Sequence, residues 1–313
     1  MSDVASSQVQ PTALSRFGGV IVPVVTPFHP DESIDEVAFE AVIERMLGAG
    51  VSGIVVGGTT GEYYAMSPAE RHDQLTLGAK AVAGRVTLIA GCTVGGSNAA
   101  VALAQHAAEV GFDAVMLSPP PTSLPTQAEL AAYVQFVADE SGLPVVLYNY
   151  PARAGVEYGF DCLDAVADHP GVVALKESSG DFSRMLSMRH RYGHRIEIIC
   201  GSDDQAFDYY TWGVTGWLAG TANVLPREHV AFTTSMLRGD IDLGRRQFDA
   251  LLPFLQHVER GRYNNKIKAG MNHLGVPVGE VRRPLLALSE AERVDLQVVI
   301  DAAVARFAAA SEG

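Results

Sequence analysis

Short runs of apolar, often β-branched residues recur along the chain, and most are followed by an alanine-rich stretch with helical periodicity. Such runs, bounded by turn residues, predict buried strands, and continuous apolar strands are typical of a parallel sheet covered on both faces. The eight runs occupy residues 20–25, 53–56, 86–90, 114–117, 144–148, 172–175, 196–200 and 216–218. Eight strand–helix units in succession predict an α/β fold, a closed (β/α)8 barrel of the TIM type.

Helix-start signals lie between the predicted strands. Ser67-Pro68-Ala69-Glu70 combines an N-cap, a proline at the first helical position and a glutamate at the third, and Thr126-Gln127-Ala128-Glu129 repeats the capping box. A doubly wound sheet is the rival architecture, because it also consists of βαβ units. The segment Gly57-Gly58-Thr59-Thr60-Gly61 lacks the glycine spacing of a dinucleotide-binding fingerprint, and no lysine follows it as in a phosphate-binding loop. The closed barrel is therefore favoured.

The predicted elements divide the chain into three parts. Residues 1–15 contain no apolar core segment and are predicted to be a flexible tail, not a secretory signal. Residues 16–225 form the predicted barrel. Residues 226–313 form a predicted helical region, with helices at 232–237, 244–258 and 290–309. Because no linker rich in Pro, Gly or Ser separates this region, we expect it to pack on the barrel.

Composition excludes several classes of function. The net charge of -13 and the lack of a Lys/Arg cluster argue against a nucleic-acid partner. No apolar run approaches the roughly 20 residues of a membrane span. The cysteines Cys92, Cys162 and Cys200 are too few and scattered for a disulfide framework, which favours a cytoplasmic location. His190 and His194 have arginines around them and no third ligand in spacing, so no metal site is predicted.

Lys176 ends the sixth predicted strand. Because side chains alternate along a strand, Lys176 shares a face with Val172 and Ala174, whereas Glu177 points the other way. An inward lysine at a strand end is partly desolvated, which disfavours its ammonium form. A useful nucleophile at pH 7 needs a pKa depression of about 3 units, or about 4 kcal/mol. The alternative is a lysine that ends the strand and extends into water.

Other polar residues follow the predicted strands where an active site of such a barrel lies. Gly58, Thr59 and Thr60 offer hydroxyls and a glycine-rich backbone for an anion, or form an ordinary tight turn. Tyr148 ends the fifth strand, where a phenol beside an amine is able to relay protons; without the amine it would be a packing residue.

Three further positions belong to this set. Arg153 is suited to bind a second carboxylate or hydroxyls, with a surface ion pair as the alternative. Asp203 and Asp204 follow the seventh strand and are interpreted as a helix N-cap with some hydroxyl binding, or else as a paired acid and base. Gly220-Thr221 follows the eighth strand.

Four motifs together resemble a known family of Schiff-base lyases. They are Gly58-Thr59-Thr60-Gly61-Glu62, Tyr148-Asn149 with Pro151, Lys176-Glu177-Ser178-Ser179-Gly180-Asp181 and Gly220-Thr221-Ala222-Asn223. In this order and spacing they resemble the dihydrodipicolinate synthase / N-acetylneuraminate lyase family. The resemblance implies a (β/α)8 barrel with a C-terminal helical region, usually a homotetramer built as a dimer of dimers.

The resemblance also implies roles for single residues. Lys176 would form an imine with a 2-oxo acid, Tyr148 would shuttle protons, and Thr59 and Thr60 would bind the substrate carboxylate. The imine is itself the electron sink, so neither a metal nor an organic cofactor is required.

Two features bear on the branch of the family. The loop at 118–124 carries Thr122 where the synthases have a tyrosine lent to the neighbouring subunit, whereas Arg153 matches their carboxylate-binding arginine. Tyr150-Pro151 and Ala219-Gly220-Thr221 are similar to the branch acting on 2-keto-3-deoxy acids and sialic acid. In that branch the positions of Ser178, Asp203, Asp204 and Thr221 meet substrate hydroxyls.

We therefore predict a Schiff-base-forming lyase, an aldolase or dehydratase, that acts on pyruvate or a pyruvate-derived 2-keto-3-deoxy acid through a lysine imine. The alternative is 4-hydroxy-tetrahydrodipicolinate synthase, which condenses pyruvate with aspartate semialdehyde, and a minor alternative is a non-catalytic keto-acid-binding barrel.

Overall fold

Eight parallel strands close into a barrel in which each strand pairs with the next and the last pairs with the first. The computed structural model describes residues 15–312, so most of the predicted tail at 1–15 lies outside the described residues. The strands are β1 (Gly19–Pro23), β2 (Gly53–Val56), β3 (Thr87–Gly91), β4 (Ala114–Leu117), β5 (Val145–Asn149), β6 (Val172–Glu177), β7 (Glu197–Cys200) and β8 (Gly216–Leu218). The predicted fold class is confirmed. The bounds of each predicted run agree with those of its strand to within two residues at either end.

Helices follow the strands around the barrel. They are α1 (Glu36–Ala49), α2 (Pro68–Val82), α3 (Ser97–Val110), α4 (Gln127–Glu140), α5 (Pro151–Ala154), α6 (Phe160–Val166), α7 (Phe182–Tyr192), α8 (Ala206–Thr211), α9 (Pro226–Leu237), α10 (Ile241–Glu259), α11 (Tyr263–His273) and α12 (Glu290–Glu312). Both predicted capping boxes are confirmed, because Ser67 caps α2 with Glu70 and Thr126 caps α4 with Glu129.

Side chains along the strands alternate between two apolar layers. Ile21, Val55, Ala174 and Ile199 fill the barrel interior. The residues that alternate with them along the strands, such as Leu175, pack between the sheet and the helices. This alternation places every second residue of β6 inside the barrel.

The predicted helical region after residue 225 contains two kinds of helix. α9 packs on β1 and beside α1 and α8, so it supplies the eighth helix of the barrel. α10, α11 and α12 are additional and pack on one another. The predicted segments 232–237, 244–258 and 290–309 lie within α9, α10 and α12, whereas α11 was not predicted.

A buried ion pair joins these additional helices to the barrel. Lys268 Nζ of α11 lies 2.7 Å from Glu62 Oε1 in the loop after β2, and both side chains are buried. Glu62 Oε2 accepts a hydrogen bond of 2.9 Å from the backbone N–H of Arg282. Since breaking a buried pair leaves an uncompensated charge, this contact fixes α11 at the carboxyl ends of the strands.

Candidate active site

A cavity of about 310 Å³ opens at the carboxyl ends of the barrel strands. Eight of the residues predicted from the sequence line it: Thr59, Thr60, Tyr148, Arg153, Lys176, Ser178, Asp203 and Gly220. Gly58 and Thr221 do not line it. The predicted set is therefore largely gathered in one place, by segments that are up to about 160 residues apart in the chain.

Lys176 is the buried amine of this cavity. It is 7% exposed, since it points into the barrel from β6 as the strand alternation requires. Burial lowers the pKa of Lys176 to about 8, and the nearby Asp203 carboxyl is the charge that most opposes this effect. A substantial fraction of the amine is thus neutral near physiological pH, which an exposed lysine does not achieve.

Tyr148 lies directly opposite Lys176 in the pairing of β5 with β6. Lys176 Nζ is 4.2 Å from the centroid of the Tyr148 ring, and Tyr148 is 9% exposed. Burial raises the pKa of Tyr148, so the phenol keeps its proton, and Ser178 lies beside it. A neutral phenol next to a partly neutral amine is able to move a proton without carrying a net charge.

The loop after β2 brings Thr59 and Thr60 to the cavity wall. Its turn is closed by hydrogen bonds from Gly61 N–H to Gly58 O, at 3.0 Å, and from Glu62 N–H to Thr59 O, at 3.1 Å. Gly58 is buried under this turn, where a Cβ would lie 3.6 Å from atoms of Met116 and Val55, an ordinary contact distance.

Arg153 extends into the same cavity from α5. Its Cζ lies 5.3 Å from the centroid of the Tyr150 ring and 5.9 Å from that of Tyr263, and it forms no ion pair with any residue in 15–312. Stacking between two aromatic rings holds the planar guanidinium in place and leaves its N–H groups available to a ligand.

Asp203 is the most highly connected residue of the cavity wall. Its Oδ1 accepts a hydrogen bond of 3.0 Å from Trp217 Nε1 and its Oδ2 accepts one of 2.9 Å from Tyr263 O–H, while Oδ2 also lies 2.8 Å from the Thr221 hydroxyl oxygen. The interpretation of Asp203 as a helix N-cap is wrong, because Ser202 precedes the 3₁₀ turn and no side chain caps it. Its neighbours explain the difference, since Trp217, Thr221 and Tyr263 engage both oxygens of the carboxyl.

Thr221 lies behind the cavity instead of in its wall. It is fully buried, and its hydroxyl contacts Asp203 and His229 Nε2. Gly220 does face the cavity, and a Cβ at this position would lie 2.2 Å from the Tyr263 hydroxyl oxygen. A glycine at residue 220 therefore permits the approach of α11.

Three further residues, Glu259, Tyr263 and Asn264, reach the cavity from α10 and α11 and were not predicted from the sequence. Asn264 Nδ2 donates to the Thr59 carbonyl oxygen at 2.9 Å, so it buttresses the threonine loop. Burial, together with the carboxyls of Asp203 and Asp204, raises the pKa of Glu259 to about 7. The polar run at the start of α11 was the only local signal of this contribution.

A second cavity of about 180 Å³ adjoins the first. It shares Thr59, Tyr148, Tyr150 and Arg153 with the first and is otherwise lined by residues that include Tyr63 and Pro121. Thr122, at the position of the synthases' lent tyrosine, is exposed and lines neither cavity.

The next features concern membrane spans, metal ligands and thiols in the described part of the chain. No helix in residues 15–312 is long and apolar enough to cross a membrane. In the same range no group of three His, Cys, Asp or Glu side chains is arranged to hold a metal ion. Cys92, Cys162 and Cys200 are buried free thiols.

Comparisons with known proteins agree with this architecture. Residues 16–303 match the dihydrodipicolinate synthetase family. The 4-hydroxy-tetrahydrodipicolinate synthase of an Exiguobacterium species is 35% identical over 275 residues, 87% of this chain and 93% of that protein. An uncharacterized DapA-like lyase of Rhizobium meliloti is 32% identical over 278 residues, 88% of this chain and 92% of that protein.

A solved dihydrodipicolinate synthase structure superposes with a TM-score of 0.87 at 31% identity, and the match covers 91% of this chain and 98% of that one. With the barrel, the buried amine and its phenol partner in place, these matches establish that the chain belongs to the dihydrodipicolinate synthetase family and is an enzyme, a lyase.

Proposed function

We propose that the enzyme is a Schiff-base lyase in which Lys176 forms an imine with pyruvate or a pyruvate-derived 2-keto-3-deoxy acid. The observation that carries this proposal is the pairing of a dry amine with a phenol on adjacent strands. Lys176 Nζ lies 4.2 Å from the ring centroid of Tyr148, and burial lowers the pKa of the amine to about 8. That combination supplies a nucleophile and a proton carrier inside one cavity.

The chemistry follows from these two groups. The neutral amine of Lys176 adds to the ketone carbon, and the carbinolamine loses water to give a protonated imine. The imine withdraws electrons from C3, so C3 is able to lose a proton or an aldehyde. Once C3 has lost a proton, a hydroxyl group is able to leave from the next carbon. Tyr148 relays the proton in these steps, while Thr59 and Thr60 hold the carboxylate. Because the imine is the electron sink, no metal or organic cofactor is required.

The acidic side chains of the cavity support a polyhydroxylated substrate. Asp203, Asp204 and Glu259 contribute three carboxyl groups to the lining of the cavity that contains Lys176. Carboxyl groups accept hydrogen bonds from hydroxyls and repel a second anionic group. Aldol cleavage or dehydration of a 2-keto-3-deoxy sugar acid is therefore the favoured reaction.

Arg153 favours a second candidate function. Its free guanidinium lines both cavities and would bind the carboxylate of aspartate semialdehyde, the substrate condensed with pyruvate by a 4-hydroxy-tetrahydrodipicolinate synthase. The Exiguobacterium relative carries that name. Against this candidate, Thr122 lacks the reach of the tyrosine that those enzymes lend to a neighbouring subunit.

Borohydride trapping tests the proposal directly. Incubation with pyruvate and borohydride is expected to give a stable adduct at Lys176, located by peptide mapping. Lys176→Ala should abolish the adduct, whereas Lys80→Ala, at an exposed position of α2, should retain it. An unmodified Lys176 in the native enzyme would refute imine formation.

A substrate panel separates the two candidate functions. We expect pyruvate release or water loss from at least one 2-keto-3-deoxy acid and no consumption of aspartate semialdehyde with pyruvate. The reverse result would assign the synthase reaction. We further propose a cytoplasmic enzyme that assembles as a dimer of dimers, which sedimentation analysis tests through the mass of the particle.

A further inference from the structure

A chain of hydrogen bonds runs from the cavity wall into the core behind β8. Thr221 Oγ1 lies 2.8 Å from Asp203 Oδ2 and 2.9 Å from His229 Nε2, and His229 Nδ1 lies 2.6 Å from the Leu225 carbonyl oxygen. His229 is fully buried and stacks on Trp217 at a centroid distance of 4.6 Å, which fixes the ring orientation. Of these hydrogen-bonded residues, only Asp203 borders the cavity.

The number of protons shared by Asp203, Thr221 and His229 follows from their donors and acceptors. The Leu225 carbonyl only accepts, so His229 Nδ1 carries a proton. The Thr221 hydroxyl has one proton and two neighbours within hydrogen-bond distance. If it donates to His229, then Asp203 must be protonated and donate to Thr221. If it donates to Asp203, then His229 Nε2 must also be protonated, and the imidazole is a cation.

Both arrangements contain the same total number of protons. With neither Asp203 nor His229 Nε2 protonated, one contact of Thr221 would bring two lone pairs together in a buried site, which costs the full desolvation of an unsatisfied group. The two allowed arrangements differ only in charge. Asp203 and His229 are both neutral in the first, and they form a carboxylate and an imidazolium in the second.

We propose that these hydrogen-bonded groups hold one mobile proton, which resides on Asp203 while the Lys176 amine is neutral and moves through Thr221 to His229 when a cationic imine forms on Lys176. This inference rests on the proposed imine chemistry. The proton on Asp203 Oδ2 passes to Thr221 Oγ1 as the hydroxyl proton passes to His229 Nε2, so no proton enters or leaves. A carboxylate then faces the new cation without any exchange with solvent.

The surroundings of the chain support both states. Burial raises the pKa of Asp203 and lowers that of His229 to about 4, which favours the neutral arrangement while the amine is uncharged. A cation on Lys176 attracts a negative charge at Asp203, the carboxyl that acts on it most strongly. Hydrogen bonds from Trp217 and Tyr263 then satisfy that carboxylate.

Three other charged groups lie around Asp203 in the cavity wall. Asp204 extends from the same 3₁₀ turn, Glu259 from the end of α10 and Arg153 from α5, and all three line the cavity. The two acids oppose a carboxylate at Asp203 until a cation is present, so they help to couple the proton shift to imine formation.

Histidine-selective ¹⁵N NMR tests the proton shift on the full-length enzyme. The chain has nine histidines, and the His229 signals are assigned by their loss in His229→Asn, whose amide still donates to the Leu225 carbonyl. At about pH 9.5, well above the lowered pKa of about 8, the Lys176 amine is mostly neutral, and we expect one protonated and one bare ring nitrogen in the free enzyme. Saturation with pyruvate should convert both nitrogens to the imidazolium type.

A parallel borohydride sample separates failure of the proton shift from failure of imine formation. A trapped adduct with an unchanged neutral His229 would overturn the proton shift and leave the imine intact, as would an imidazolium already present in the free enzyme at this pH, where the Lys176 amine is neutral. Failure to form any adduct would overturn both proposals.

Two variants of Thr221 provide a matched pair. Thr221→Val removes the hydroxyl at nearly constant volume and should abolish the His229 change and slow turnover on the order of tenfold, less than the about 10² to 10⁴ for loss of a direct proton donor. Thr221→Ser keeps the hydroxyl and should restore both. A valine variant with wild-type turnover and a wild-type His229 response would refute the relay. Should the valine variant not fold, the response of the native enzyme decides alone.

Discussion

The reactivity of Lys176 toward an acylating reagent should depend on pH in a way that its burial dictates. Only the neutral amine reacts, so the rate rises with pH and levels off above the pKa. With the pKa of Lys176 lowered to about 8, the rate should be half-maximal near pH 8. An ordinary lysine reaches half-maximal reactivity only near about pH 10.4.

The magnitude separates the two cases clearly. Between pH 6 and pH 10 the neutral fraction of an amine with a pKa of about 8 rises roughly 100-fold, against several thousandfold, or roughly 10⁴, for an ordinary lysine. At pH 7 the buried amine is roughly 200 times more often neutral, which corresponds to about 3 kcal/mol in favour of the reactive form. This factor is what the barrel interior contributes before any substrate binds.

Trace acetylation with isotope-labelled acetic anhydride measures this profile. The Lys176 peptide is quantified by mass spectrometry at each pH against a free lysine derivative in the same tube. A profile for Lys176 that continues to rise up to pH 10 in parallel with the free derivative would refute the assignment of a desolvated amine and, with it, the physical basis of the proposed nucleophile.

Three further predictions address the phenol, the approach of β7 and the outer face of β6. Tyr148→Phe should lower the rate at which the pyruvate methyl protons exchange with D₂O, measured by NMR, by a factor of about 10² to 10⁴, while the borohydride adduct still forms. Exchange at the wild-type rate would exclude Tyr148 as the proton carrier. In Gly201→Ala the new Cβ would lie 2.0 Å from Ser178 Oγ and 2.7 Å from Lys176 Cε, so trapping should slow and urea stability should fall by about 1 to 3 kcal/mol. Gly95→Ala, whose Cβ meets nothing within 4 Å, is the control, and equal behaviour of the two variants would contradict the packing argument. Glu177→Ala removes a fully buried carboxylate that accepts from Asn149 and pairs with Arg184, and urea denaturation should show a loss of about 3 to 5 kcal/mol, whereas a loss below about 1 kcal/mol would show that the pair is not important.

The barrel and the reactive pair could be predicted from the sequence because both depend on local patterns. A parallel strand covered on both faces needs a continuous apolar run, and such runs are easily recognised. The inward direction of Lys176 follows from its even spacing from Val172 and Ala174 in β6. Tyr148 and Lys176 end consecutive strands, so their neighbourhood follows once the strands are paired in order.

Contacts between distant segments could not be predicted in the same way. Asp203 had a plausible local use as a helix cap, but its partners Trp217, Thr221 and Tyr263 come from three later segments. α11 has a short apolar face and polar residues at its start, so its periodicity gave little signal. Its position depends on the buried contact between Lys268 and Glu62, which are about 200 residues apart in the sequence.

The division of the cavity wall has a consequence for how such an enzyme diversifies. The amine and the phenol of the proposed mechanism belong to neighbouring strands, whereas Glu259, Tyr263 and Asn264 come from helices outside the barrel. Substitutions in those helices would change the cavity lining while the pairing of β5 with β6, which brings Tyr148 and Lys176 together, stays the same. Reaction type and substrate preference are therefore able to change in separate evolutionary steps.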